Sequence, residues 1–166
     1  MLARRAAVSA EEAAALTRFH WAYERSLVDS VERFVPLANG QRAALEARLD
    51  ALEAAYGSGG EPARATGEAA RVYRRNPDPK GPMTVFGYSY LVDHLGKERA
   101  EALELTSYQG VRGEGGDYAL EALNFVDGTR TVQAIRDALT AEFGPVPTGH
   151  VAAYLRGLEE IGVLRQ

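Results

Sequence analysis

The sequence contains no cysteine, which excludes disulfides, thiolate zinc sites, iron–sulfur clusters and cysteine nucleophiles together. Apolar runs break after a few residues, so no stretch of about 20 residues is suited to crossing a bilayer. No charged start followed by an apolar run and a small-residue cleavage site is present, and the expected compartment is the cytoplasm. Imidazoles are scarce, with only His20, His94 and His150. They lie far apart in sequence, and only His20 and Glu24 form an i, i+4 pair, whereas a zinc site needs three or four converging ligands. No metal ligand, cofactor site or catalytic residue is expected.

Two local patterns resemble chemistry without completing it. Gly87-Tyr88-Ser89-Tyr90-Leu91 begins like a nucleophile elbow, but Leu91 stands where the closing glycine belongs, and no strand precedes it. The segment Gly110-Val111-Arg112-Gly113-Glu114-Gly115-Gly116 lacks the Lys-Ser/Thr of a phosphate cradle and puts Glu114 where an anion would sit. Its glycines fit either a flexible connector or a hairpin.

What is present is a chain of 166 residues, 46% of them apolar, enough for a real core in one medium domain or two small ones. The formal net charge of −4 is unevenly spread. Residues 1–80 hold 12 Lys/Arg against 11 Asp/Glu, and residues 81–166 hold 7 against 12. A weakly acidic chain is poorly suited to phosphate backbones or anionic lipid surfaces. Neither nucleic acid nor membrane is an expected partner; small molecules and other proteins are.

Ser9 followed by Glu12 is a capping box. Leu16, Phe19, His20, Tyr23, Leu27, Val31 and Phe34 then recur at helical spacing, so the pattern predicts a long helix stopped by Pro36, with that stripe facing a core. Trp21, Val28 and Val35 lie off the stripe. They form a second apolar face that either meets a partner or is covered by later helices of the same chain. After the Asn39-Gly40 turn, Leu45, Leu49, Leu52 and Tyr56 predict a second helix, ended by Gly57-Ser58-Gly59-Gly60. Glu61-Pro62 predicts a third, running to Tyr73. The prolines of Asn76-Pro77-Asp78-Pro79-Lys80-Gly81-Pro82 forbid helix and central strand and mark an internal boundary. Two short helices are predicted beyond it, over Val85–Leu95 and Lys97–Leu105. Before Asp117 the β-leaning residues are confined to Leu105–Tyr108 and Val111.

From Asp117 the pattern is regular. Leu120, Leu123 and Val126 mark one short helix ending at Asp127-Gly128. Val132, Ile135, Leu139 and Phe143 mark a second. A third is capped by Thr148, with Val151, Tyr154, Leu155, Leu158 and Ile161 inward, and a short strand follows at Val163-Leu164. Gly128 is expected at positive φ, and Asp127 either caps the next turn or is solvated. The fold class is mainly α: N-terminal helices, then a winged-helix-like three-helix module with little β. The regions are a helical N-terminal part over residues 1–76, a linker with a short helical pair over 77–116, and the module over 117–166. Arg130, Arg136, Arg156 and Arg165 face seven acids in that module, which disfavours a DNA-reading role for its third helix.

The run Leu123-Asn124-Phe125-Val126-Asp127-Gly128-Thr129-Arg130-Thr131-Val132-Gln133-Ala134-Ile135 resembles the signature of PqqD-like winged helices, which bind peptides or partner enzymes. With Ala141-Glu142-Phe143-Gly144-Pro145 and Tyr154-Leu155-Arg156-Gly157-Leu158-Glu159, it looks like the C-terminal accessory region of some bacterial zinc aminopeptidases related to leucyl aminopeptidase and glutamate carboxypeptidase. The likeness spans roughly Tyr73 to Leu164. It implies an accessory or protein-interaction module without catalysis of its own, since no position matches the metal ligands or the general base of such an enzyme. The chain would be a fragment or subunit of such a peptidase, or a free relative of its accessory domain. The implied partner is a protein or peptide, a peptidase catalytic domain above all, with a second copy of the chain a further candidate. The alternative is a free-standing peptide-binding winged helix of the leader-peptide recognition type; a DNA regulator comes third.

Overall fold

A computed structural model describes residues 9–61, 64–78 and 89–166. Among them the chain is mainly α, with seven α-helices and one two-stranded ladder. It divides into two units between residues 63 and 64.

The first unit is a helical hairpin. Helix α1 (Ala10–Glu32) starts on the capping box: the Glu12 N–H donates to Ser9 Oγ at 3.1 Å, and the Ser9 N–H to Glu12 Oε2 at 2.8 Å. It ends at Glu32, so Phe34 and Val35 lie in the turn beyond it. Helix α2 (Gln41–Tyr56) follows the Asn39-Gly40 turn and stops at Gly57. Few side chains are buried in this unit. Ala15 and Val28 are the buried residues of α1, and α2 has none.

The second unit begins at residue 64, not after the proline run. Asn76 belongs to it, because its N–H donates to Val163 O at 2.9 Å and its side-chain amide to Gly162 O at 2.7 Å. The stretch of that run from Pro79 to Pro82 lies outside the described residues, as do Val85 to Tyr88. Of the third helix expected over Glu61–Tyr73, Pro62 and Ala63 lie outside the described residues, and among the described ones only a 3-10 turn at Gly67–Ala70 is helical. From Arg71 the backbone is extended: Val72 bridges Thr131, and strand β1 (Arg74–Arg75) pairs antiparallel with β2 (Leu164–Arg165). Pairing with the chain's last strand overrides the local helical reading, as β structure commonly does. The β-leaning Leu105–Tyr108 stretch is instead largely the 3-10 turn Glu104–Ser107.

Helices α3 (Tyr90–Leu95) and α4 (Lys97–Glu101) meet at Gly96. The segment from Gly110 is a packed hairpin turn: Gln109 bridges Glu114, and the Gly110 N–H donates to Gly113 O at 3.0 Å. Helices α5 (Gly115–Asn124), α6 (Val132–Phe143) and α7 (Thr148–Glu160) complete the unit. Helix α6 is capped by Thr131, whose Oγ1 accepts the Ala134 N–H at 3.1 Å. The expected cap of α7 is displaced by one residue: Pro147 is its N-cap and Thr148 its first residue.

Ile135, Leu139, Leu155 and Leu158 are fully buried together, with Tyr73, Leu105 and Tyr118 closing the same core. Gly128 adopts φ +82°, a left-handed conformation that side-chain-bearing residues rarely take. Asp127 tightens that turn. Its Oδ1 accepts the Thr129 N–H at 2.8 Å, the Thr129 hydroxyl at 2.8 Å and the Arg130 N–H at 2.9 Å. These bonds, the Arg130 N–H foremost, lower its pKa to about 2.

Candidate interaction surfaces

In the hairpin, charge pairing sets which side of α1 meets α2. Arg25 of α1 lies 2.9 Å from Asp50 and 2.5 Å from Glu53 of α2. Arg42 of α2 reaches back to Asp29 at 2.5 Å and to Glu32, and also holds Glu46 at 2.8 Å. These carboxylates, Asp29 first, push the Arg42 pKa further above its already high value. Arg18 donates to Gly59 O at 2.6 Å, and the Trp21 indole N–H to Gly57 O at 2.9 Å. The chain after α2 therefore folds back along α1.

Of the three sequence-predicted surface residues, Val28 is buried at 8% exposure and Trp21 is half-buried against that returning segment, while Val35 is 60% exposed. The stripe expected to face a core is the open one. Tyr23 is 50% exposed, Leu27 39%, Val31 47% and Phe34 83%. Phe19 continues it, its ring nearly parallel to that of Tyr23 at 6.5 Å. Residues 18, 21, 25, 28 and 32 line one side of a 3.6-residue helix and 19, 23, 27 and 31 another. Arg18, Arg25 and Glu32 on the first side are held by polar partners, so α1 spends its charged side on α2 and turns much of its apolar side outward. The missed signal was electrostatic: Arg25 with the acids of α2, and Arg42 with the acids of α1.

The second unit presents a different feature. Residues opposite each other on an antiparallel ladder project to the same side. Arg74 and Arg165 are such a pair, both exposed, on the side away from buried Leu164. Strand β2 pairs with β1 alone among the described residues. Arg130 stands nearby on the Asp127 turn, 3.0 Å from Asp127 Oδ2 and with its guanidinium 5.5 Å from the centre of the Phe125 ring.

Each histidine has its own local partner. His20 is exposed on α1, edge-on to Phe19 at 5.9 Å. His94 Nδ1 lies 2.8 Å from Tyr90 O. His150 Nδ1 lies 2.6 Å from Glu104 Oε2, and its ring centre is 5.6 Å from that of Tyr108. Among the described residues no three His, Asp or Glu side chains are grouped to hold a metal ion, and no helix is long and apolar enough to cross a membrane. No protein-family model, curated protein or solved structure matches the chain.

Proposed function

We propose that the chain is a non-catalytic accessory module that binds another protein through the open face of α1, with a zinc aminopeptidase catalytic domain as the first candidate. There it would aid assembly or substrate access. The observation that carries this reading is the uncovered row Tyr23, Leu27, Val31 and Phe34 on a hairpin that buries little of its own. Helices in proteins owe most of their stability to packing an apolar face, and contiguous apolar surface rimmed by polar residues marks interaction sites. The resemblance of residues 123–135, with 141–145 and 154–159, to the accessory region of zinc aminopeptidases is the ground for the choice of partner. The cysteine-free composition suits the reducing cytoplasm.

A second reading starts from the edge of β2 that pairs with no other strand among the described residues. An extended peptide added there would take its affinity from backbone bonds, and its acidic side chains would meet Arg165 and Arg74.

The test is sedimentation of the purified chain, alone and mixed with a purified zinc aminopeptidase catalytic domain. A stoichiometric complex that Leu27→Glu abolishes, with unchanged circular dichroism, supports the reading. Absence of a complex, or one indifferent to Leu27→Glu, refutes it. A dimer of the chain alone that Leu27→Glu dissociates would reassign the face to self-association.

A further inference from the structure

The chain has three asparagines, and their surroundings differ in one chemically decisive respect. An asparagine side chain is attacked by the backbone nitrogen of the next residue when that nitrogen is unhindered and free. Asn76 is followed by Pro77, which has no N–H, and its amide is engaged with Gly162 O at 2.7 Å. Asn124 is followed by Phe125, whose N–H donates to Glu121 O at 2.9 Å, while the Asn124 amide donates to Glu121 Oε1 at 3.1 Å. Asn39 is followed by Gly40 in the turn between α1 and α2 and is exposed. Among the described residues neither its side chain nor the Gly40 N–H makes a hydrogen bond, and a Cβ placed on Gly40 would meet nothing within 4 Å.

We propose that Asn39 is a site of spontaneous deamidation through a cyclic imide closed by the Gly40 nitrogen. Hydroxide takes the Gly40 amide proton, the nitrogen bonds to the Asn39 side-chain carbonyl carbon, and the side-chain nitrogen takes a proton from water and leaves as ammonia, which returns the hydroxide. Water then opens the five-membered imide at either carbonyl. One opening yields aspartate, and the other yields isoaspartate with the backbone lengthened by a methylene. The net change is amide plus water to carboxylate plus ammonium, with no oxidation or reduction. The new carboxylate stands just before α2, whose first turn carries no acidic residue and whose N-cap, Gly40, supplies no side-chain bond. The aspartate product therefore complements the positive end of the helix. The isoaspartate product instead stretches the link between Ala38 and Gln41, which exchange bonds of 2.8 Å (Ala38 N–H to Gln41 Oε1) and 3.0 Å (Gln41 N–H to Ala38 O).

The second pair of this kind, Asp127-Gly128, is protected by the same logic. Its carboxylate is clamped by three donors and by Arg130, and the Arg74 side chain lies over Gly128, 3.2 Å from where a Cβ would stand. Ring closure also needs the neutral carboxyl, which the lowered pKa of Asp127 makes scarce at neutral pH.

The experiment is incubation of the full chain at mildly alkaline pH, with timed peptide mapping by mass spectrometry and separation of aspartate from isoaspartate. Free peptides spanning Asn39 and Asp127 serve as references. The Asn39 peptide should gain the mass of an amide-to-acid exchange at a rate within about tenfold of its free peptide, as expected of an exposed turn. The rate should rise with pH and vanish in Asn39→Gln. Asp127 should form isoaspartate more than about tenfold slower than its free peptide, because several charge-assisted bonds must break first. Slowing of Asn39 in the protein by more than about tenfold, or earlier conversion of Asn76 or Asn124, would overturn the proposal.

Discussion

Gly115 and Gly116 are neighbours at the start of α5 and should respond oppositely to the same methyl group. A Cβ on Gly115 would sit 2.2 Å from Thr106 O, 2.3 Å from Thr106 C and 2.6 Å from Ser107 N, whereas one on Gly116 meets nothing within 4 Å. The atoms facing Gly115 are backbone, so no side-chain rotation relieves the clash. Thr106 is itself tied down, its N–H donating to Leu103 O at 3.0 Å and its hydroxyl to the same oxygen at 2.8 Å. Making room means moving the 3-10 turn by roughly 1 Å, which disturbs the packing of fully buried Leu105. Overpacking of this kind costs about 1–3 kcal/mol, and a rigid neighbour puts it at the upper end. Replacing glycine by alanine in a helix returns about 0.5–1 kcal/mol. Gly115→Ala should therefore lose about 2 kcal/mol net, or roughly 10 °C in Tm for a unit of this size, while Gly116→Ala should be neutral or slightly more stable. Thermal unfolding followed by tyrosine near-ultraviolet circular dichroism reads this out, since Tyr73, Tyr118 and Tyr154 are all buried in this unit. Equal Tm values for the two variants would refute the close approach of α5 to the Thr106 backbone.

Leu155→Ala, at a fully buried position between α6 and α7, should cost about 2–5 kcal/mol in urea unfolding through lost burial and a residual cavity; a loss below about 1 kcal/mol would show that the core is not closed there. Tyr154→Phe should leave stability unchanged or raise it, because the buried Tyr154 hydroxyl has no hydrogen-bond partner among the described residues; clear destabilisation would reveal a bond at that oxygen. The folded-state pKa of Asp127, about 2, lies below its ordinary value of 3.8. Its stabilisation is thus fully present above the ordinary value and is lost as pH falls through about 2. Screening at this partly exposed site keeps it under about 1 kcal/mol. Wild type should exceed Asp127→Asn in urea midpoint at neutral pH and converge with it in acid, and a gap that persists at the acid end would contradict the assignment.

How much of the fold was legible depends on range. The Ser9–Glu12 box, the stop before Pro36, the turn at Gly128 and the helices from Gly115 to Glu160 are set within a few residues by capping, φ preference and apolar spacing. Ile135, Leu139, Leu155 and Leu158 share a core because period 3.6 leaves them no other side. The segment after Gly60 shows where local reading ends. Arg74 and Arg75 carry no strand pattern of their own and become β1 because Leu164 and Arg165, some ninety positions away, lie beside them.

The candidate surface divides along the same line. The sequence by itself determined that α1 has two apolar sides, through the spacing of Tyr23, Leu27 and Val31 on one and Trp21 and Val28 on the other. Hydrophobic periodicity measures amphipathicity and not direction, so it leaves open which side is turned inward. Tertiary pairing of Arg25 with Asp50 and Glu53, and of Arg42 with Asp29 and Glu32, decided it. Once those ions face one another across the hairpin, Val28 is carried inward with them, and Tyr23, Leu27 and Val31 are left on the outside.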